Sequence, residues 1–179
     1  MNSSTRARKL LSVRELVLFA LLGTLMAVSD VLMEGLPNIH IVGLFIAATT
    51  LCFRWRAVFP VAVYVFLIGL FSGFGLWWLA YLYTWPLLWV LLLLIPRRLP
   101  KWAFFLLSHL TVTLHGLAFG VITAPVVALM WRLDTWEKVL ATIAAGLAFD
   151  ILHAVGNFVF GFFIPPLTAL LERLTYGKG

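Results

Sequence analysis

Asp150, His153 and Asn157 stand three and then four residues apart inside an otherwise apolar stretch. That spacing puts a carboxyl, an imidazole and an amide on one face of a helix. In a helix that starts near Lys138, Asp150 lies about 18 Å inward at 1.5 Å per residue, close to the middle of a bilayer. Charge is costly there, so such a set marks a ligand contact, a proton carrier, or a pair that only fixes packing. In the preceding apolar run, His115 lies six residues beyond His109 and so on another face, which does not suit a metal shared along that helix. Gly116, Gly120 and Ala124 recur every four residues after it and permit close approach of a neighbouring helix.

Two further stretches carry groups able to hold a ligand. Met33-Glu34-Gly35-Leu36-Pro37-Asn38-Ile39-His40 is a dense polar and turn-forming segment between two apolar runs. Pro37 fixes a dihedral, Asn38 offers donor and acceptor, and Glu34 and His40 are ionisable; the segment serves either as a plain connection or as a gate over a site. Ser72 to Trp85 holds six aromatic residues and two glycines. Trp77, Trp78 and Tyr81 there are candidates for stacking on a flat ligand, beside the plainer role of a membrane-interface aromatic belt. Gly23 and Ala27, with Ala20 one turn earlier, form a small-residue stripe suited to internal packing or to docking of another helix. Asp30 lies one turn before Glu34.

The elements that position these groups are apolar. The chain has 179 residues, 63% hydrophobic and 11% charged, a composition outside the soluble globular range. The expectation is one all-α membrane domain, residues 1–179. The formal charge of +6 comes from clusters flanking apolar runs, which orient membrane proteins, so nucleic-acid binding is set aside. Cys52 is the single cysteine; it forms no internal disulfide and reads as a small core residue. The apolar run from Leu16 to Leu32 behind a basic flank resembles a signal peptide, but no small-x-small pattern follows it, so it is expected to stay as the first helix.

Hydropathy gives six transmembrane segments, about 15–33, 40–53, 57–75, 79–96, 102–131 and 138–171. The second is short, and Pro125 and Pro165-Pro166 are expected kinks or ends in the long fifth and sixth. With six crossings, Arg6, Arg8, Lys9, Arg14, Arg54, Arg56, Arg97, Arg98, Lys101, Arg173 and Lys178 fall on one side. Only Arg132 and Lys138 fall on the other, eleven of the 13 Lys and Arg against two. Both termini are therefore expected in the cytoplasm. The loop 34–40, the turn 73–83 and the loop 132–138 then face outward. No glycine-rich loop ending in Gly-Lys-Ser/Thr is present, so uphill movement draws on a partner or an ion gradient.

Taken in order, "RELVLFALLGTLMAVSD", "EGLPNIHIVGLFI", "LFSGFGLWWLAYLYTW", "HGLAFGVITAP" and "GLAFDILHAVGNFVFG" resemble the substrate-binding S component of energy-coupling-factor vitamin transporters across essentially the whole chain. The resemblance implies a multi-pass protein of a prokaryotic cell membrane that binds a vitamin or related micronutrient in an outward cavity. It implies partners too: a transmembrane coupling subunit and two cytoplasmic ATPases that use the ATP, this chain being neither an enzyme nor the holder of a cofactor or metal. Ala20, Gly23 and Ala27 become the docking face, glycine at 23 departing mildly from the family's alanine. Leu36 to His40 become the gate, and Pro37, Asn38, His40, Trp77, Trp78, Tyr81, His115, Asp150, His153 and Asn157 the substrate contacts. Cobalamin is the first choice of ligand, with His40, His115 or His153 as cobalt-facing groups.

Two other classes remain. One is a stand-alone ion-coupled transporter with Asp30 and Asp150 carrying protons, although no inverted repeat is visible. The other is an intramembrane metalloprotein or enzyme using Asp150, His153 and His115, for which no catalytic signature is present.

Overall fold

The computed structural model describes residues 11–177, which are mostly helical, with no strand among them. The helices are α1 (Val13–Leu32), α2 (Val42–Phe53), α3 (Val58–Ser72), α4 (Trp78–Leu94), α5 (Lys101–Leu117), α6 (Phe119–Trp131), α7 (Trp136–Gly161) and α8 (Ile164–Tyr176); a 3-10 turn, Arg54–Ala57, joins α2 to α3. Four helical stretches, Val13–Leu32, Val42–Ser72, Lys101–Trp131 and Trp136–Gly161, are long and apolar enough to cross a membrane, and α4 is a shorter apolar helix. The protein is thus an all-α membrane protein.

The first helix starts where the sequence supplies a capping box: Glu15 N–H donates to Ser12 Oγ at 3.2 Å and Ser12 N–H to Glu15 Oε2 at 2.8 Å, which satisfies two orphan amides. Glu15 also pairs with Arg56 beside the start of α3. Above that pair α1 and α3 pack closely through Gly23. A Cβ there would stand 2.6 Å from Val63 and 2.8 Å from the Pro60 carbonyl oxygen. The small-residue stripe is therefore divided: Gly23 and Ala27 are buried against the fold and Ala20 is exposed.

Eleven of the twelve residues of α2 are buried, so this short helix is the centre around which the others stand. It ends at Arg54, whose φ of 57° turns the chain back. The reversal is held from α4 and beyond: Trp89 Nε1 donates to the Arg54 carbonyl at 3.2 Å, Arg54 Nη2 to Leu93 O at 2.6 Å, and Arg97 Nη2 to Leu51 O at 2.8 Å. Arg97 on the Leu51 carbonyl of α2 and Arg54 on the Leu93 carbonyl of α4 each put a cation at the negative end of a helix dipole.

The segments 15–33, 57–75 and 79–96 coincide with α1, α3 and α4 to within a few residues, but the two long ones divide differently. Segment 102–131 breaks at Ala118, between α5 and α6, while Pro125 lies inside α6. Segment 138–171 ends as a span at Gly161; Pro165 and Pro166 begin a separate helix, where proline costs no hydrogen bond. In α8, Ile164, Thr168 and Leu171 form the buried face, spaced four and three, and Arg14 Nη2 donates to its Leu174 carbonyl at 2.6 Å. Thr135 caps α7 by accepting from Lys138 N–H, and the Lys138 ammonium beside Asp134 holds that exposed carboxyl below its usual range.

These contacts gather Arg14, Arg54, Arg56 and Arg97 at one end of the bundle, the basic end. Arg6, Arg8, Lys9 and Lys178, which the orientation count also used, lie outside the described residues.

Candidate functional site

The segment 33–40 turns into the bundle. Leu36 N–H donates to Met33 O at 2.8 Å and Ile39 N–H to Leu36 O at 3.0 Å, two successive tight turns. Asn38 adopts a left-handed φ of 56°, which asparagine tolerates better than most residues. Pro37 stays exposed. His40 swings under the loop, its ring centroid 4.6 Å from that of His153 and 5.5 Å from that of Trp85.

Trp85, 1% exposed, is the hub of this core. Its ring lies 5.6 Å from Tyr64, 5.6 Å from Tyr81, 5.9 Å from His115 and 6.0 Å from Phe119. His115 Nε2 donates to the Thr84 carbonyl at 3.1 Å, leaving Nδ1 as an acceptor in the neutral ring. Six buried side-chain atoms here have no protein partner: Thr84 Oγ1, Trp85 Nε1, Nδ1 of His40 and His115, and both ring nitrogens of His153. A buried polar atom left unpaired costs about 1–3 kcal/mol. Six of the nine such atoms among the described residues thus gather at Trp85, its own Nε1 included.

The α7 face read from the 150/153/157 spacing is real, and its three members differ. Asn157 Nδ2 donates to Val112 O at 3.0 Å, joining α7 to α5. Asp150 accepts the Gly120 amide on both carboxylate oxygens, each at 3.1 Å, so it caps the start of α6. Gly120 permits this, since a Cβ there would stand 2.5 Å from Asp150 Oδ2. His153 alone is left unpaired. His109 packs instead against Phe158 and Phe162, at 4.9 and 4.8 Å.

Beside the core, at the end opposite the basic one, a cleft of about 330 Å³ is lined by Asp30, Val31, Glu34, Ile68, Ser72, Trp77 and Tyr81. Tyr64 OH donates to Asp30 Oδ2 at 2.9 Å, tying the carboxylate to a phenol that touches Trp85. Trp77 and Tyr81 meet edge to face at 5.3 Å, and Tyr81 then contacts Trp85, so one aromatic ladder runs from the cleft to the core. Trp78 is not on it: its Nε1 donates to Val65 O at 2.8 Å and its ring lies against Phe74. Sequence reasoning singled out neither Tyr64, Thr84 nor Trp85 as site residues. The repeat Trp77, Tyr81, Trp85, one residue every four, was the available signal for the last. A roomier groove of about 530 Å³ between α6 and α7 is almost wholly apolar and offers a ligand little to recognise.

Among the described residues no group of three or more His, Cys, Asp or Glu side chains is placed to hold a metal ion. No family model, no curated protein and no solved structure matches this chain.

Proposed function

We propose that this protein is a membrane-embedded binding subunit that captures a vitamin or related micronutrient and hands it to an ATP-driven import module. The observation that carries the reading is the set of six unpartnered buried polar atoms around Trp85, covered by the 33–40 segment and joined by an aromatic ladder to a polar cleft. A ligand entering from the cleft stacks on Trp77 and Tyr81, exchanges hydrogen bonds with the His40, His115 and His153 rings, and is closed over by Pro37 and Asn38. Asp30 and Glu34 at the mouth suit a ligand carrying positive charge or several N–H donors, and the flanking rings add cation–π attraction. The cleft's 330 Å³ lies near the small end of the roughly 300–1,000 Å³ of ligand pockets, which favours a compact vitamin over a corrinoid.

In the full proposal α1, α2, α3, α4, α5 with α6, and α7 make six crossings of a prokaryotic cell membrane. Both termini and the basic end are cytoplasmic, α8 continuing α7 inward alongside α2. A transmembrane coupling subunit and two ATPases are the partners. Because Gly23 packs against α3 and Ala27 is buried in the core, the coupling subunit meets the outward side of α1 around Ala20.

The test is copurification from native membranes combined with uptake. ATPase activity that travels with the chain, and ligand uptake that stops when ATP is depleted, support the proposal. Uptake driven by an ion gradient in vesicles holding this chain alone overturns it in favour of a stand-alone transporter.

A further inference from the structure

At the basic end a pocket of about 510 Å³ opens between α2, α5 and α8, lined by Leu51, Arg97, Lys101, Phe104, Thr168 and Glu172 among others. It lies away from the His–Trp core, and the proposed capture of a vitamin makes no use of it. Its chemistry is divided. Arg97 and Lys101 stand at the start of α5, whose N-cap is Pro100 with no side-chain cap bond, so the first amides of the helix add their positive dipole end to the two cations. On the α8 side stands Glu172. The only ion pairs among the described residues are Glu15–Arg56 and Asp134–Lys138, so Glu172 is held more than 4.0 Å from either cation. Leu51, Phe104 and neighbouring Phe105 make the remaining wall apolar.

We propose that this pocket seats the headgroup of a membrane phospholipid of the phosphoethanolamine class. The phosphate oxygens accept from Arg97, Lys101 and the free α5 amides. The primary ammonium, an ethylene bridge away, donates to the Glu172 carboxylate, and an acyl chain lies along Phe104 and Phe105. A binding site with opposite charges held apart fits a zwitterion better than a simple anion. A quaternary choline has no N–H for Glu172, and a glycerol headgroup has no cation. The apolar wall and the place of the pocket at the end of the helices, where headgroups lie, favour a lipid over a free phosphate. The proposal is independent of which solute the protein carries.

Native mass spectrometry of the full chain, reconstituted in an equimolar mixture of phosphatidylethanolamine, phosphatidylglycerol and phosphatidylcholine, tests it. One retained phosphatidylethanolamine is expected, favoured about fivefold over phosphatidylglycerol, the ratio for one partly exposed ion pair worth about 1 kcal/mol, and by about the same factor over phosphatidylcholine, which lacks the N–H bond to Glu172. Lys101→Ala lowers retention of all three lipids, while Glu172→Gln removes the preference for ethanolamine and leaves phosphatidylglycerol retention unchanged. Neither side chain makes a hydrogen bond within the described chain, and unchanged thermal unfolding of both variants verifies that they fold. Equal retention of the three lipids by the native chain overturns the proposal, as does an ethanolamine preference that survives Glu172→Gln. Free phosphoethanolamine or inorganic phosphate displacing the bound lipid at matched concentration overturns the assignment to a lipid.

Discussion

Asp150 is expected to act as a cap for α6, and replacing it separates that role from proton carriage. The carboxylate is 4% exposed, and both of its oxygens lie 3.1 Å from the Gly120 amide. That amide is the second of α6, a helix whose N-cap residue supplies no side-chain bond. Asp150→Ala deletes a charge-assisted bond and strands a part-buried N–H, a loss of about 1.5–3 kcal/mol. Asp150→Asn keeps a carbonyl acceptor at the same place and loses only the charge–dipole part, about 1 kcal/mol or less, since Asn and Asp cap helices about equally well. Unfolding in detergent is followed with a thiol-reactive dye, because Cys52 is the single cysteine and is 6% exposed when folded. The expected order is native, Asn and then Ala, with the wider gap between the two variants. If Asn destabilises as much as Ala, the charge itself is required and the cap is the wrong description of Asp150.

Gly23→Leu is expected to cost about 1–3 kcal/mol of stability, the range of overpacked cores, because even a Cβ meets Val63 at 2.6 Å; Ala20→Leu is expected to leave unfolding unchanged and to weaken only assembly with the coupling subunit, and loss of fold at position 20 would contradict the division of that stripe. His153→Leu removes two unpaired buried nitrogens, so it is expected to raise the stability of the ligand-free chain by about 1 kcal/mol while lowering ligand affinity; a destabilised variant with intact binding would return His153 to a packing role. Trp77→Ala is expected to weaken ligand binding by about 1–3 kcal/mol, the range for a lost stacking contact, whereas Trp78→Phe, which loses the bond to Val65 O, affects stability and leaves affinity unchanged. Isothermal titration beside thermal unfolding separates the two tryptophans.

Membrane character, helix content and most helix boundaries were legible because hydropathy is a local property and each apolar run is long. The 150/153/157 face was legible for the same reason, being a matter of helical period alone. The break at Ala118 was not, because it comes with Asp150, 30 residues away, accepting the Gly120 amide; Gly116 and Gly120 flank it, but their four-residue spacing reads as well as helix packing, and Pro125, which does announce a kink, sits inside a continuing helix. Nor did the sequence distinguish Trp77 from Trp78, which differ by one residue and so by 100° around α4. That rotation sends one ring to the cleft and the other to α3. Gly23 and Ala27 read equally well as a docking face or as internal packing, since small residues serve both, and only the position of α3 decides which surface remains free. His40 read as part of an outer gate, and the tight turns at Leu36 and Ile39 are what carry it inward to His153.

The most direct measurement is equilibrium binding of a vitamin panel, covering thiamine, riboflavin, folate, pantothenate, biotin and cobalamin, to the purified chain by titration calorimetry. One compact member is expected to bind with a micromolar or lower Kd, about −8 kcal/mol, and to lose at least tenfold in affinity in the Trp77→Ala variant. A panel in which nothing binds below about millimolar, about −4 kcal/mol, would contradict the proposed role of the cleft and of the unpaired core beneath it.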